Sequence, residues 1–108
     1  PLYEYASIDA LVTNLPKDAL LIGIEQTDYA ESVTSVAHPK CAVYLLGAED
    51  YGLEAEVLER CHRVIEIPAT LCLNVCVAGS IVMYDRLLKG TCSYREYRSN
   101  PILAKVKT

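Results

Sequence analysis

Apolar runs alternate with amphipathic stretches along this chain, and the two patterns predict different elements. Residues 19–24 and 41–46 carry no charged side chain, and residues 64–67 form a third, mainly apolar run that Pro68 closes. Short apolar runs bounded by turn-forming residues predict buried strands. The region between residues 25 and 40 is mostly polar, which predicts a loop with one helical turn.

Three stretches have the residue spacing of helices. Ser7 precedes apolar residues at helical spacing and Pro16 follows them, which predicts a short capped helix. Residues 53–61 mix apolar and acidic positions, which predicts an amphipathic helix with its acids toward solvent. Residues 74–89 are apolar on most sides and precede Gly90, which predicts a long helix, buried on more than one face, that ends at a glycine cap.

Strands that alternate with helices predict an α/β layer structure with a mainly parallel sheet. A chain of 108 residues, of which 52% are hydrophobic, has enough apolar surface for one packed domain and is not disordered. Its apolar runs fall short of the roughly 20 residues that cross a bilayer, and its first residues do not resemble a signal peptide. We therefore expect a soluble, cytoplasmic protein.

The cysteines argue against disulfides and metal sites. There are five, an odd number without paired short spacing, which fits a reducing compartment. Cys72 and Cys76 lie four positions apart and would share a helix face, but no further His or Cys pair completes a tetrahedral site. The sequence therefore predicts no metal site.

Charge is divided unevenly along the chain, although the net charge is only −4. Residues 1–88 carry five basic and thirteen acidic side chains, whereas residues 89–108 carry five basic and one acidic. This pattern predicts a domain over residues 1–90 and a basic C-terminal tail over residues 91–108. Arg95 and Arg98 lie among tyrosines there, which suits RNA binding by phosphate attraction and base stacking. The alternative is a frayed terminus that binds nothing.

Two loops that follow predicted strands carry the candidate chemistry. Residues 47–53 place two glycines around acidic residues, and residues 72–78 begin a helix shortly after Pro68. Ligands bind at the carboxyl ends of parallel strands, so both loops are expected to line one small-molecule site. The first loop lacks the P-loop lysine and the glycine spacing of the dinucleotide fingerprint, which disfavours the alternative of a Rossmann-like nucleotide enzyme.

Two ordered motifs in these loops resemble those of the SpoU (TrmH-like) RNA methyltransferases. The motifs are Leu46-Gly47-Ala48-Glu49 with Gly52-Leu53, and Ile67-Pro68 followed by Leu73-Asn74-Val75 with Val77-Ala78. Their order, spacing and strand-loop-helix context agree with the family.

This resemblance implies an α/β knot fold of the SPOUT superfamily, in which a C-terminal trefoil knot cradles S-adenosylmethionine. It also implies a homodimer that methylates a ribose 2'-hydroxyl of tRNA or rRNA. By position, the residues that would contact the cofactor are Leu46, Gly47, Ile67, Pro68, Cys72 and Leu73. Glu49 and Asn74 would be the polar catalytic set, which organises the pocket and its RNA end.

One departure from the family pattern bears on catalysis. The family has an arginine, within an upstream Asn-x-Gly-x-x-x-Arg motif, that is associated with removal of the ribose proton, and this chain lacks that pattern. Two explanations stay open: a fragment that lacks the upstream motif, or a degenerate member that binds cofactor or RNA without methyl transfer. His38 and His62 are further candidates for a base.

Overall fold

The computed structural model describes residues 2–47, 52–68 and 74–99. Within these ranges the chain forms a parallel sheet of four strands, together with four α-helices. The elements are α1 Ile8–Thr13, β1 Leu20–Ile24, β2 Glu31–Ser32, a 3₁₀ turn Val33–Ser35, β3 Ala42–Leu46, α2 Ala55–Arg60, β4 Arg63–Glu66, α3 Val75–Lys89 and α4 Tyr94–Ser99. The α/β class and the parallel sheet are thus confirmed, while the trefoil knot stays a prediction.

The strand order is β2-β4-β1-β3, with β1 in the interior and all five of its residues buried. β1 pairs along its whole length with β3, and its second half pairs with β4. Because the strands are parallel, their ends meet at common edges. We call residues 24–26, 46–47 and 66–68, where β1, β3 and β4 end, the carboxyl edge. We call residues 19–20, 38–42 and 61–63, where these strands begin, the amino edge.

Helix α3 runs from the carboxyl edge to the amino edge. Gly79 lies beside Leu46 near the end of β3, whereas Arg86 hydrogen-bonds the carbonyl of Lys40 before β3 begins. The predicted position of this helix is confirmed: Asn74 is its N-cap and Gly90 its C-cap. Its predicted burial is wrong, since Val82 is the one buried residue of α3. Helix α3 has more apolar side chains than the neighbouring described residues bury.

Several predicted boundaries shift for identifiable reasons. The helix predicted over residues 53–61 begins only at Ala55, because Glu54 is its N-cap with extended backbone angles, and the amide of Leu53 donates to the carboxylate of Glu25. The strand predicted over residues 64–67 covers Arg63–Glu66, and the carbonyl of Ile67 accepts instead from the Gln26 side chain. The capped helix after Ser7 is confirmed, with the Ser7 hydroxyl accepting from the amide of Ala10.

The region predicted as a loop, residues 25–40, contains a strand as well as the expected helical turn. The turn is the 3₁₀ segment, and the strand is β2, which pairs Glu31 with Ile65 and Ser32 with Glu66. Two polar residues give no apolar alternation, so no pattern in the sequence marks β2.

The described part of the predicted tail packs onto the core. Cys92 forms a parallel bridge with Pro39, in which its amide donates to the carbonyl of His38 and its carbonyl accepts from the amide of Lys40. Tyr97 of α4 is only 2% exposed and joins the core cluster of β1, Ile65 and Val82. Residues 100–108 lie outside the described residues.

Candidate active site at the carboxyl edge

The carboxyl edge brings the two sequence motifs to either side of the central strand. Leu46 at the end of β3 pairs with Ile24 of β1, and Ile24 pairs on its other side with Ile65 of β4. Neighbouring strands lie 4.7–4.9 Å apart, so the ends of β3 and β4 are about 10 Å from each other. A small molecule placed across the end of β1 would touch both motifs.

Two glycines allow the chain to fold back tightly against the end of β3. A Cβ atom on Gly47 would overlap the backbone of Gly52 and the amide nitrogen of Leu53. Gly52 itself has a φ of 66°, and a side chain there would collide with the carboxylate of Glu25. Such close approach and positive φ are what glycine permits. Gly47 and the Gly52–Leu53 backbone are therefore in close contact at the end of β3.

Glu25 is a polar residue of this edge that the sequence motifs did not identify. Its Oε2 accepts a hydrogen bond of 2.6 Å from the amide of Leu53, while its own amide donates to the carbonyl of Ile65 at 3.0 Å. One residue therefore ties the loop after β3 to strand β4. The available signal was its position directly after a buried strand, the same rule that selected the two motifs.

The described ranges contain four of the six predicted cofactor residues. Leu46 and Ile67 are half-buried and pack against the core, Gly47 forms the turn, and Pro68 is exposed. All four lie at the carboxyl edge. Glu49, Cys72 and Leu73 lie outside the described residues.

Asn74 has a defined structural role. Its Oδ1 accepts from the amide of Cys76 at 2.8 Å and so caps the first turn of α3. The capping bond satisfies one of the amides that every helix start leaves without a partner. Asn74 is exposed, and the N-terminus of α3 follows strand β4 directly in the chain order.

The chemistry of the described edge suits a small organic ligand. Half-buried apolar side chains from Leu46 and Ile67 provide contact area, and Glu25 provides a carboxylate whose oxygens accept hydrogen bonds. A mainly apolar surface with a few converging polar groups is typical of small-molecule sites.

Both histidines that were candidates for a base lie at the amino edge, away from this site. His38 is 1% exposed, with Nε2 at 2.6 Å from Asp85 Oδ2 and Nδ1 at 2.6 Å from the hydroxyl of Tyr44. The Nδ1 of His62 accepts from the amide of Leu21 at 2.9 Å. Neither imidazole is positioned to take a proton from a ligand at the carboxyl edge.

His38 belongs to a polar cluster that the sequence did not reveal. We call His38, Tyr44, Asp85, Arg86 and Lys89 the His38 cluster. Lys89 Nζ lies 2.9 Å from Asp85 Oδ2 and donates to the carbonyls of residues 33 and 36. Arg86 donates to the carbonyls of residues 39 and 40 and to the Tyr44 hydroxyl. These bonds hold the last turns of α3 against the segment before β3.

The electrostatics of the His38 cluster favour an ionised Asp85. Burial alone would raise the pKa of this carboxyl, but hydrogen bonds from His38 and Lys89, together with their charges, outweigh burial and lower it. Burial raises the pKa of the Tyr44 hydroxyl, although Arg86 opposes the rise. The charged side chains of the cluster therefore hold α3 against the amino edge.

The two arginines predicted to bind RNA, Arg95 and Arg98, are exposed on α4. The guanidinium carbon of Arg98 lies 5.8 Å from the centre of the Tyr94 ring, a cation–π distance. Since α4 follows the bridge at Cys92, both arginines lie on the amino-edge side of the sheet. The structure does not bring them to the predicted cofactor residues.

Within the described ranges, no group of three or more His, Cys, Asp or Glu side chains is placed to hold a metal ion. The cysteines in those ranges, at positions 41, 61, 76 and 92, form no disulfide with one another. None of the helices there is both long enough and apolar enough to cross a membrane.

A comparison with protein families places this geometry in context. The model of the SpoU rRNA Methylase family matches residues 1–84 of the chain. That span includes all four strands and the residues of the carboxyl edge, and it ends before α4. No curated protein sequence matches the chain closely enough to count as a relative.

Proposed function

The chain belongs to the SpoU rRNA methylase family, and from this membership we propose that it transfers a methyl group from S-adenosylmethionine to a ribose 2'-hydroxyl of tRNA or rRNA. The family indicates RNA methyltransferase activity. The observation that carries the finer proposal is the carboxyl edge, where the two family-like motifs flank β1 and Gly47 and Gly52 bring the backbone into close contact.

The residues present at this edge fit S-adenosylmethionine. The apolar surfaces of Leu46 and Ile67 suit an adenine ring, and the Glu25 carboxylate suits a ribose hydroxyl or an ammonium group. When bound, this cofactor supplies a methyl group already activated on a sulfonium sulfur. The task of the protein is then to hold the ribose oxygen in line with that methyl group and to assist loss of its proton.

We assign roles within the site by position. The proposed cofactor contacts are Leu46, Gly47, Ile67, Pro68, Cys72 and Leu73. Glu49 and Asn74 form the proposed polar set at the RNA end of the pocket. The hydrogen bond by which Asn74 caps α3 supports this assignment indirectly, because it fixes the start of the helix beside the proposed pocket.

Cofactor binding and methyl transfer are tested separately. Calorimetry with S-adenosylhomocysteine on the natural full-length protein should give saturable binding. Incubation with labelled S-adenosylmethionine and tRNA or rRNA should give a methyl group on ribose, read as resistance of one phosphodiester bond to alkaline hydrolysis. Absence of S-adenosylhomocysteine binding would overturn the proposal.

A second candidate is a non-catalytic member that binds the cofactor or RNA. It is favoured by the missing Asn-x-Gly-x-x-x-Arg pattern and by the position of both histidines at the amino edge. This candidate predicts saturable cofactor binding without methyl transfer to any tRNA or rRNA, measured on the natural full-length protein.

We further propose that two copies associate through α3. Five apolar side chains of this helix are exposed: Val77, Met83, Tyr84, Leu87 and Leu88. A groove of about 510 Å³ lies between α3 and the 3₁₀ turn, with an almost wholly apolar lining that includes Val33 and Ile81. Exposed apolar patches of this kind mark protein interaction sites, and a second copy is the partner that the family implies.

Leu88→Glu should shift the protein toward monomer, because it places a charge in the apolar groove. Sedimentation velocity should detect this as at least a tenfold weaker dimer. The matched control is Leu2→Glu, which changes a leucine that is 90% exposed and lies outside α3. Equal dimer affinity for both variants would contradict an interface at α3.

A further inference from the structure

A second concave site lies at the amino edge, away from the proposed cofactor pocket. It is a cleft of about 420 Å³ between the end of α2, the start of β4 and helix α4. Its charged lining consists of Arg60, Arg63, Arg98 and Glu59, so positive charge exceeds negative. Neither family-like motif contributes to it, and Arg98 and Tyr97 lie beyond the span that the family model matches.

Arg63 is a buried cation with an unsatisfied donor. The residue is 4% exposed, and its guanidinium carbon lies 5.6 Å from the centre of the Tyr97 ring. Its Nη1 forms an ion pair at 3.8 Å with Glu31 Oε1, but among the described residues neither of these two buried atoms has a hydrogen-bond partner. A buried donor without an acceptor costs about 1–3 kcal/mol, so an anion that accepts from this guanidinium would be stabilised.

Arg98 brings a second guanidinium to the same cleft. Its guanidinium carbon lies 5.8 Å from the centre of the Tyr94 ring. Burial lowers the pKa of Arg63, and the nearby positive charge of Arg98 lowers it further, against the opposing effects of Tyr97 and Glu31. An anion bound beside both guanidinium groups would relieve this repulsion.

The chemistry of the ligand follows from the arginines. A guanidinium presents a planar fork of donors that matches the oxygens of a phosphate, and phosphate pairs are often bidentate. Arg60, whose guanidinium also pairs with Asp9 of α1, completes the basic rim. The cleft is lined mainly by polar atoms and so favours an anion over an apolar ligand.

We propose that the cleft between α2, β4 and α4 binds a phosphate group of the RNA backbone, remote from the ribose that is methylated. This inference rests on the proposed function, since RNA enters as the substrate. Arg63 begins β4 and Pro68 lies five residues later, just beyond the end of the strand, and extended chain rises about 3.3 Å per residue, so the two sites are roughly 17 Å apart. A contact of this kind positions the RNA without reading its bases.

The first test uses inorganic phosphate on the whole chain. In NMR titrations, phosphate should shift the guanidinium Nε–H resonances of Arg63 and Arg98. Arg98→Gln should weaken phosphate binding at least fivefold. The matched control is Lys17→Gln, because Lys17 is a basic, exposed residue that does not line the cleft. Unshifted resonances, or equal affinity for both variants, would overturn the proposal.

The second test separates RNA from free phosphate. Each phosphate contact with single-stranded RNA contributes about 0.7 to the slope of log affinity against log salt, so Arg98→Gln should reduce that slope by about 0.7. An unchanged slope would overturn the assignment to RNA and leave a site for an adventitious ion only.

S-adenosylhomocysteine affinity, measured on the same Arg98→Gln variant, distinguishes the two proposals. It should equal that of the unmodified chain, since the cleft and the carboxyl edge share no residue. Cofactor binding without phosphate binding contradicts the cleft alone. Phosphate binding without cofactor binding contradicts the proposed reaction while the anion site stands.

Discussion

At the carboxyl edge the chain makes its closest contacts through backbone, whereas at the amino edge the contacts are made by long charged and aromatic side chains. Gly47 touches Gly52 because neither has a side chain. His38 and Asp85 instead meet through their side chains at 2.6 Å, and the Arg63 guanidinium pairs with the Glu31 carboxylate at 3.8 Å. At Gly47 and Gly52 the carboxyl edge therefore has no room for an added side-chain atom, whereas the amino edge depends on particular functional groups. Substitutions should therefore reduce stability by steric overlap at the carboxyl edge and by loss of polar contacts at the amino edge.

Gly47→Ala should have the largest effect. The added Cβ meets backbone atoms of Gly52 and Leu53 that no side-chain rotation can move. Forcing atoms into a packed site costs typically 1–3 kcal/mol, and we expect a loss near the upper limit, about 3 kcal/mol. Chemical denaturation measures the loss, and calorimetry should show at least tenfold weaker S-adenosylhomocysteine binding.

Gly79→Ala is the matched control for this prediction. Its added Cβ would lie 3.7 Å from a methyl carbon of Leu46, an ordinary contact, within a helix that alanine favours. Its stability should stay equal or rise by up to about 1 kcal/mol. If both variants were equally stable, the tight turn at Gly47 would not be a steric requirement.

Asp85→Asn should have an intermediate effect at the amino edge, because it removes the charge that His38 and Lys89 share. Losing hydrogen bonds to a charged group costs about 1–3 kcal/mol at neutral pH. Asp85 has a lower pKa in the folded than in the unfolded chain, so its stabilisation is complete above the unfolded value of about 4 and is lost as pH falls further. The stability difference between the two proteins should therefore shrink in acid, as measured by denaturation at a series of pH values. A difference that is independent of pH would assign the effect to packing.

Asp9→Asn should have the smallest effect. The Asp9–Arg60 pair joins α1 to α2, but both side chains are accessible to solvent, Asp9 at 71% and Arg60 at 39%. Exposed ion pairs contribute about 0–1 kcal/mol, so thermal denaturation should detect little change. A loss as large as that of Asp85→Asn would mean that charge, rather than burial, determines which polar contacts matter in this protein.

The elements of this fold were predictable where the signal is local. Apolar runs identified β1, β3 and β4, and the caps at Ser7 and Gly90 marked helix ends within one or two residues. Strand β2 and helix α4 were not found, since β2 depends on pairing with β4 and α4 on burial of Tyr97 against residues far away in the chain. Contacts between distant residues produce no periodic pattern of apolar residues in the sequence.

The candidate site divides in the same way. The family resemblance selected Leu46, Gly47, Ile67 and Pro68 as cofactor contacts, and all four lie at the carboxyl edge. Glu25 was missed, because its role consists of a bond to Leu53 that only the folded chain forms. The His38 cluster was missed for the same reason, since Asp85 looks like an ordinary polar position of an amphipathic helix until α3 is placed beside residue 38.

The parallel sheet has a consequence for how the chain reaches its native state. Each strand pair in the described sheet joins distant residues, as Leu20 with Ala42 and Ile22 with Arg63, and none is a hairpin. Long loops must close before any of these pairs is stabilised. High contact order slows folding, so this domain should fold more slowly than a helical bundle of equal length. During that time the apolar face of β1 is open to other chains, and folding yield should fall as protein concentration rises.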